Sequence, residues 1–102
     1  MPIDASTSFE IRFPVGFDEH GWEYEAKGRL AGVVVQVGRA SFTLTFYDPV
    51  RLDQDVTADL VSDAVFFEAN LVVVSAVTRS CIEAAVASLV VGGALRDTGS
   101  GP

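Results

Sequence analysis

The chain contains 102 residues, of which 49% are hydrophobic, and its 14 acidic and 7 basic residues give a formal net charge of −7. The apolar fraction excludes a disordered solvating segment, because such segments lack the apolar groups that offset the entropy lost on ordering. The acidic excess argues against nucleic-acid binding, which depends on Lys and Arg at the phosphates. A single cysteine excludes an intrachain disulfide and a zinc site built from cysteines.

The ends of the chain give no sign of a membrane or secretory role. The first eight residues contain no basic region followed by an apolar stretch, which a secretory signal has, so we expect a cytoplasmic protein. The longest apolar stretch near the C-terminus, residues 84–95, is about a dozen residues long, whereas a membrane span needs about 20. We therefore expect a chain with neither a nucleic-acid nor a membrane partner.

Alternating apolar and polar residues predict an antiparallel meander in the first half of the chain. Gly28 and Gly32 interrupt its second segment, where glycine often marks a bulge or a bend. Gly38 and Arg39 provide a tight reversal before the clearest strand. The predicted strands are residues 8–15, one long bent strand or two joined strands over residues 22–37, and residues 41–47.

A helix and a further strand are predicted next. Asp48 is a suitable N-cap and Pro49 suits the first helical position, so a helix begins there and ends near residue 63 or 64. Residues 66–77 return to the alternation of a strand. Residues 71–74 are apolar on both faces, which is typical of a more central strand.

The last predicted element is a helix that begins with a capping box. Ser80 and Glu83 form the box, and Thr78 is a competing start. The pair Gly92-Gly93 ends the helix with a left-handed C-cap. Between these ends, an apolar stripe at helical spacing consists of Ile82, Ala85, Val86, Leu89 and Val90.

These segments predict one α+β domain over residues 1–95, followed by a flexible tail over residues 96–102. The order is β-β-β-(β)-α-β-α, a mainly antiparallel sheet of four to five strands with two helices covering one face. Two short helices cannot cover both faces, yet residues 33–35 and 71–74 place apolar side chains on both. Either the sheet curls on itself or a second subunit covers the spare face, and we predict the second subunit, in a two-fold homodimer.

No pattern predicts catalysis, a metal or a cofactor. Asp18, Glu19 and His20 adjoin one another, but adjacent residues on a turn rarely point at one centre, so we interpret them as a solvated turn. Cys81 lies in the first turn of the last helix, where we expect a small buried hydrophobe rather than a nucleophile. Phosphate-binding glycine motifs and a nucleophile elbow are absent. The sequence thus favours a protein that is not an enzyme.

Acidic and aromatic residues supply the interface candidates. Asp55 and Asp59 form a like-charged i,i+4 pair, which costs roughly 0.2–0.5 kcal/mol, and we weigh a basic partner for this helix face against a plain solubility role. Phe66 and Phe67 are neighbours on a predicted strand, so a sheet covered on one face exposes one of them. Core packing is the alternative explanation for the aromatic residues. The candidate interface residues are Trp22, Tyr24, Tyr47, Asp55, Asp59, Phe66, Phe67, Val72 and Val74.

These observations favour a non-catalytic acidic protein-interaction module, a homodimer that binds a basic protein partner in an accessory, immunity or antitoxin-like role. The alternative is a small-molecule-binding domain or minor enzyme. Its aromatic pocket between sheet and helices would be lined by Trp22, Tyr24 and Tyr47, with polarity from His20 or Glu68. A purely structural subunit of a larger assembly is the third hypothesis.

Overall fold

The computed structural model of the protein describes residues 8–95 and contains a four-stranded sheet and three helices. The elements in chain order are β1 (Glu10–Arg12), α1 (Gly21–Lys27), β2 (Arg29–Val37), β3 (Ala40–Tyr47), α2 (Pro49–Asp63), β4 (Leu71–Val73) and α3 (Arg79–Val91). The predicted α+β class is confirmed, whereas the number of helices is three rather than two. The predicted tail, residues 96–102, lies outside the described residues.

The sheet is mixed and has the strand order β1-β2-β3-β4. β1 pairs antiparallel with β2. β2 also pairs antiparallel with β3, because the two residues between Val37 and Ala40 reverse the chain. The β2–β3 register shifts between Leu30 and Val33, where Gly32 has a φ of 79° that favours glycine. β4 pairs with β3 in parallel, because α2 carries the chain back between the two strands.

α3 covers one face of the sheet and closes the hydrophobic core. Ile82, Val86 and Val90 recur every four residues along α3, so they lie on one side of the helix, and all three are buried. They belong to one cluster with the side chains that β2 and β3 direct to the same face. Those side chains are Val33, Val35, Val37, Leu44 and Phe46.

α2 lies on the opposite face of the sheet, which we call the second face. This corrects the prediction that the helices cover one face. Neighbouring strand residues point to opposite faces, so Tyr47 points away from the core that contains Phe46. The Tyr47 hydroxyl donates to Asp55 of α2 at 2.9 Å. Because α2 contains no buried residue, polar contacts and half-buried side chains hold it on the sheet.

The starts of the two long helices are set by side-chain caps. The Asp48 carboxylate accepts from the Arg51 N–H at 2.7 Å and Pro49 follows the cap, so the predicted start of α2 is confirmed. At α3 the competing start is the observed one, since the Thr78 hydroxyl accepts from the Cys81 N–H at 3.3 Å. The predicted capping box that begins two residues later, at Ser80, is therefore wrong.

The strand predicted over residues 22–26 is wrong, because these residues lie in α1. Two turns of helix are too short for a helical period to be distinguished from alternation. Tyr24 packs against the core, and Gly28, with a φ of 74°, ends the helix by donating its N–H to the Tyr24 carbonyl at 2.9 Å.

Of the strand predicted over residues 66–77, only the three residues of β4 form a strand. Asn70 has a φ of 55°, so it turns the chain immediately before the strand. Its side-chain N–H donates to the Thr43 carbonyl at 3.0 Å, and its own carbonyl accepts from the Thr45 N–H at 3.1 Å. These contacts place β4 beside β3.

The part of the second face beyond α2 is polar rather than apolar. Strand alternation directs Glu10, Arg12, Gln36 and Ser41 to this side, and the Ser41 hydroxyl donates to the Gln36 side chain at 2.6 Å. Val34 lies among them and is only half-buried. The spare apolar face expected at residues 33–35 is thus replaced by a mostly polar surface. None of the described helices is long and apolar enough to cross a membrane.

Candidate functional site

A polar network joins α2 to the second face of the sheet. Arg29 and Tyr47 are register partners, and Nε of Arg29 donates to the Tyr47 hydroxyl at 3.0 Å. That hydroxyl donates to Oδ2 of Asp55 at 2.9 Å, while Nε of Arg51 donates to Oδ1 of the same carboxylate at 2.8 Å. Tyr47 is only 2% exposed. The network therefore places paired charges between the helix and the sheet.

The environment of the network shifts two pKa values in opposite directions. Burial raises the pKa of the Tyr47 hydroxyl, and the hydrogen bond from Arg29 counters this only in part. Burial also acts to raise the pKa of Asp55, but the hydrogen bonds from Arg51 and Tyr47, with the charges of Arg51 and Arg29, bring it below its usual value. Asp55 is therefore an ionised carboxylate with its charge compensated inside the chain. It does not belong to an exposed pair of like charges with Asp59.

The segment between α2 and β4 crosses the same face. The ring of Phe66 stands edge-on to the ring of Tyr47, with centroids 6.3 Å apart. Glu68 accepts from Arg29 at 3.3 Å and from the Thr45 hydroxyl at 3.5 Å. Phe67, between these two inward-facing residues, is 80% exposed.

Five exposed apolar side chains lie at the end of α2, in this segment and on β4, and we call them the apolar patch. The patch consists of Leu60, Val61, Val65, Phe67 and Val73. Val61 is 84% exposed, and Val73 is the register partner of Tyr47, the residue that Phe66 contacts. The patch thus lies where the end of α2 and the following segment meet the edge strand β4. Single exposed apolar residues are ordinary, whereas a group of them on so small a chain is a candidate interaction site.

The apolar patch lies in a part of the chain without a basic residue. Residues 52–78 contain five acidic residues and no Lys or Arg. Asp59 and Asp63 flank the patch on α2 and make no ion pair within residues 8–95. Of the other acidic residues nearby, Glu68 pairs with Arg29. The unpaired charges next to the patch on α2, those of Asp59 and Asp63, are therefore negative, and we call these two residues its negative rim.

The remaining interface candidates lie elsewhere. Trp22 is 69% exposed on α1, whereas the Tyr24 ring stacks on Phe17 at a centroid distance of 5.6 Å. Val74 is buried in the core, and the half-buried Val72 packs against the core cluster.

The structure brings Tyr47, Asp55 and Phe66 together, but it does not bring Trp22 or Tyr24 to them. Tyr24 packs at the core and Tyr47 on the second face, so no common aromatic pocket forms from these rings in the described chain.

The turn before α1 and the lone cysteine have local partners. Asp18 pairs with Arg79, and Nδ1 of the exposed His20 lies 3.7 Å from a Glu23 carboxylate oxygen. No group of three metal-binding side chains is present in residues 8–95. Cys81 is half-buried rather than buried, and the side chains of Thr78 and Ser75 lower the pKa of its thiol.

Sequence reasoning did not identify the arginines of the network. The spacing of Arg51 and Asp55, four residues apart on a predicted helix, is a signal that could have been used. Arg29 and Glu68 are 39 residues apart, and no local pattern links them.

No protein-family model, no curated protein and no solved structure matches the chain.

Proposed function

We propose that the protein is a non-catalytic binding module whose apolar patch receives a basic protein partner. The observation that carries this proposal is a group of exposed apolar side chains within a stretch that has five acidic and no basic residues. Burial of a side chain such as Val61 or Phe67 contributes about 1.5–3 kcal/mol. An accessory, immunity or antitoxin-like protein acts in this way, by occupying a surface of its partner.

The negative charges of Asp59 and Asp63 favour a basic partner over a second copy at this surface, most strongly at low ionic strength. Asp59 and Asp63 can pair with Lys or Arg across the interface, and opposite charge accelerates encounter. Two copies meeting through the patch would instead bring two acidic rims together.

The state of the polar network supports binding over catalysis. The side chains of Arg29, Tyr47, Arg51 and Asp55 are satisfied by one another, and Glu68 closes the network on the sheet. A substrate at this place would have to break hydrogen bonds between charged groups, which contribute about 1.5–3 kcal/mol each.

Two double variants separate the apolar and electrostatic parts of the proposal. Val61→Ser/Phe67→Ser removes the exposed apolar groups, and Asp59→Asn/Asp63→Asn removes the rim charges. Val50→Ser is the matched control, since Val50 is 67% exposed on α2 but lies at the other end of the helix. The wild type and these three variants are used to capture partners from cells of the source organism. Binding kinetics are then measured with the purified partner.

We expect one basic protein to be bound by the wild type and by Val50→Ser, and its affinity to fall at least about tenfold in the apolar double variant. The association rate should fall with ionic strength, and less steeply in the rim variant. A partner that binds all variants with equal affinity would contradict the proposal. So would a partner whose association rate does not change with ionic strength.

A further inference from the structure

We propose that the basic partner binds by adding an extended segment as a further strand at the open edge of β4. This pairing rests on the proposed function, because it specifies how the partner of the apolar patch is held. β4 is the last strand in the order β1-β2-β3-β4, so one of its edges has no neighbouring strand in residues 8–95. Extended segments bind such edges through main-chain hydrogen bonds and gain specificity from alternate side chains.

Two residues of β4 direct their main-chain polar groups away from β3. The Asn70 carbonyl and the Val74 N–H, on either side of the strand, form hydrogen bonds with β3 of 3.1 and 2.8 Å. The groups that bond to one neighbour alternate along a strand, so those of Leu71 and Val73 face the open edge. No turn, loop or side chain in residues 8–95 forms a hydrogen bond with them. The edge therefore presents two donors and two acceptors to a partner.

The side chains of β4 do not protect this edge. Natural sheets discourage pairing at their edges with charged residues, proline, bulges or very short strands. β1, at the other edge of the sheet, contains Glu10 and Arg12 among its three residues. β4 consists of Leu71, Val72 and Val73 and contains neither a charge nor a proline. Its length restricts pairing to the two donors and two acceptors, so an added strand needs further contacts.

The apolar patch and its negative rim supply those contacts. Val73 is the register partner of Tyr47, so its side chain points to the second face, where it is 46% exposed. Paired residues on neighbouring strands share a face, so a residue opposite Val73 on an added strand would lie beside the patch. Residues 52–78 contain no Lys or Arg, and Asp59 and Asp63 make no ion pair in the described chain. An apolar segment flanked by basic residues therefore fits this edge better than a second acidic copy does.

The probe is the acetylated and amidated peptide Lys-Lys-Val-Thr-Val-Lys-Lys, titrated into the full chain at low ionic strength. Two isomers carry two main-chain N-methyl groups each, one at both valines and the other at the threonine and the lysine after it. Because only alternate N–H groups of a strand face one neighbour, methylation blocks pairing in one isomer and leaves it intact in the other. Calorimetry gives the dissociation constants, and NMR hydrogen exchange reports on the Leu71 and Val73 amides.

Two variants test the same contact from the side of the protein. Val73→Pro removes a donor at the open edge without removing a hydrogen bond to β3, and proline is tolerated on edge strands for this reason. Val73→Thr is the matched control, since it keeps the N–H and nearly the same side-chain shape. Amide spectra establish that both variants are folded, and the peptide isomers test the pairing on the unchanged chain.

We expect one-to-one binding of the unmethylated peptide, with exchange of the Leu71 and Val73 amide hydrogens slowed at least about tenfold at saturation. One methylated isomer should bind at least about tenfold more weakly than the other. Val73→Pro should weaken binding of the unmethylated peptide about tenfold, and Val73→Thr by less than about threefold.

Equal binding of the two isomers would show that charge and apolar contact alone attract the peptide, and would overturn the proposal. Absence of binding, or binding without protection of the two amides, would also overturn it. Protection that appears in the chain alone and rises with its concentration would assign the edge to a second copy, against the proposal.

The partner captured for the apolar patch separates this pairing from the proposed function. A basic partner that requires the patch but leaves the Leu71 and Val73 amides unprotected would overturn strand pairing, while the proposed function would stand. Isomer-selective peptide binding without any basic partner in cells would support pairing at the edge and contradict the proposed function.

Discussion

At the scale of single residues, Tyr47 has surroundings that fix both its ring and its hydroxyl group. Its ring is buried and contacts Phe66 edge-on, while its hydroxyl both accepts from Arg29 and donates to Asp55. A hydroxyl has one proton to donate, and here that proton goes to an ionised carboxylate. The residue therefore links β2, β3 and α2.

We expect Tyr47→Phe to lower the free energy of unfolding by about 1–2 kcal/mol, because Arg29 and Asp55 each lose a hydrogen-bond partner in a poorly solvated place. Urea unfolding followed by circular dichroism measures the change, and the m-value should stay constant. Tyr24→Phe is the control, since the Tyr24 hydroxyl makes no hydrogen bond within residues 8–95. Its cost should be below about 0.5 kcal/mol, and equal losses in the two variants would contradict the assigned role.

Asp55 should make stability depend on pH. Its folded-state pKa lies below the usual value despite burial, because Arg51 and Tyr47 bind the carboxylate. The carboxylate therefore stabilises the folded chain above the unfolded-state pKa of about 3.9, and this stabilisation is lost as the pH falls through the folded-state pKa.

The stability difference between wild type and Asp55→Asn should accordingly be largest near neutral pH and shrink on acidification. Urea unfolding at a series of pH values measures it. Asp53→Asn, an exposed carboxylate on the same helix, should change stability by less than about 0.5 kcal/mol throughout the series. A difference for Asp55→Asn that stays constant from neutral to acidic pH would refute this assignment.

At the scale of elements, prediction from sequence succeeded where burial and local capping decide the structure. β2, β3 and the start of α2 follow from alternation and from the Asp48-Pro49 pair. It failed at α1, which is too short to show a helical period, and at β4, whose start depends on the contact of Asn70 with Thr43. The parallel pairing of β4 and the links of Glu68 to β2 and β3 arise from tertiary contacts that no local pattern encodes.

Gly28 couples two elements and gives a prediction at this scale. Its φ of 74° ends α1, and a Cβ there would lie 2.6 Å from Oδ2 of Asp48, the N-cap of α2. Gly28→Ala should thus combine backbone strain with damage to that cap. Gly32, with a φ of 79° and no atom within 4 Å of an added Cβ, provides a control that carries only the strain.

We expect Gly32→Ala to cost about 1 kcal/mol of unfolding free energy and Gly28→Ala to cost about 0.5–2 kcal/mol more, the usual contribution of an N-cap. Chemical denaturation of the two variants measures the difference. Equal costs would show that the Asp48 side chain moves aside without loss of its capping bond.

At the scale of the whole molecule, acidic residues and exposed apolar side chains lie in the same part of the chain. The net charge is −7, and the stretch that contains the apolar patch contributes five carboxylates and no basic residue. Exposed apolar side chains lie mainly at the end of α2 and in the segment after it, whereas the sheet face on which the sequence predicted them is mostly polar around the half-buried Val34. The homodimer predicted from the sequence stays a prediction, and ionic strength distinguishes it from binding of a basic partner.

Two copies of the chain repel each other, and added salt screens that repulsion over a Debye length of about 10 Å at 0.1 M. We therefore expect sedimentation equilibrium to show dimerisation that strengthens with NaCl concentration, whereas binding of a basic partner weakens over the same range. Val61→Ser/Phe67→Ser should remain monomeric under conditions where the wild type and Val50→Ser dimerise, because it lacks the two most exposed apolar side chains of the patch. A wild-type chain that is monomeric at every salt concentration would contradict the dimer. A dimer that the double variant leaves intact would show that two copies meet through a different surface.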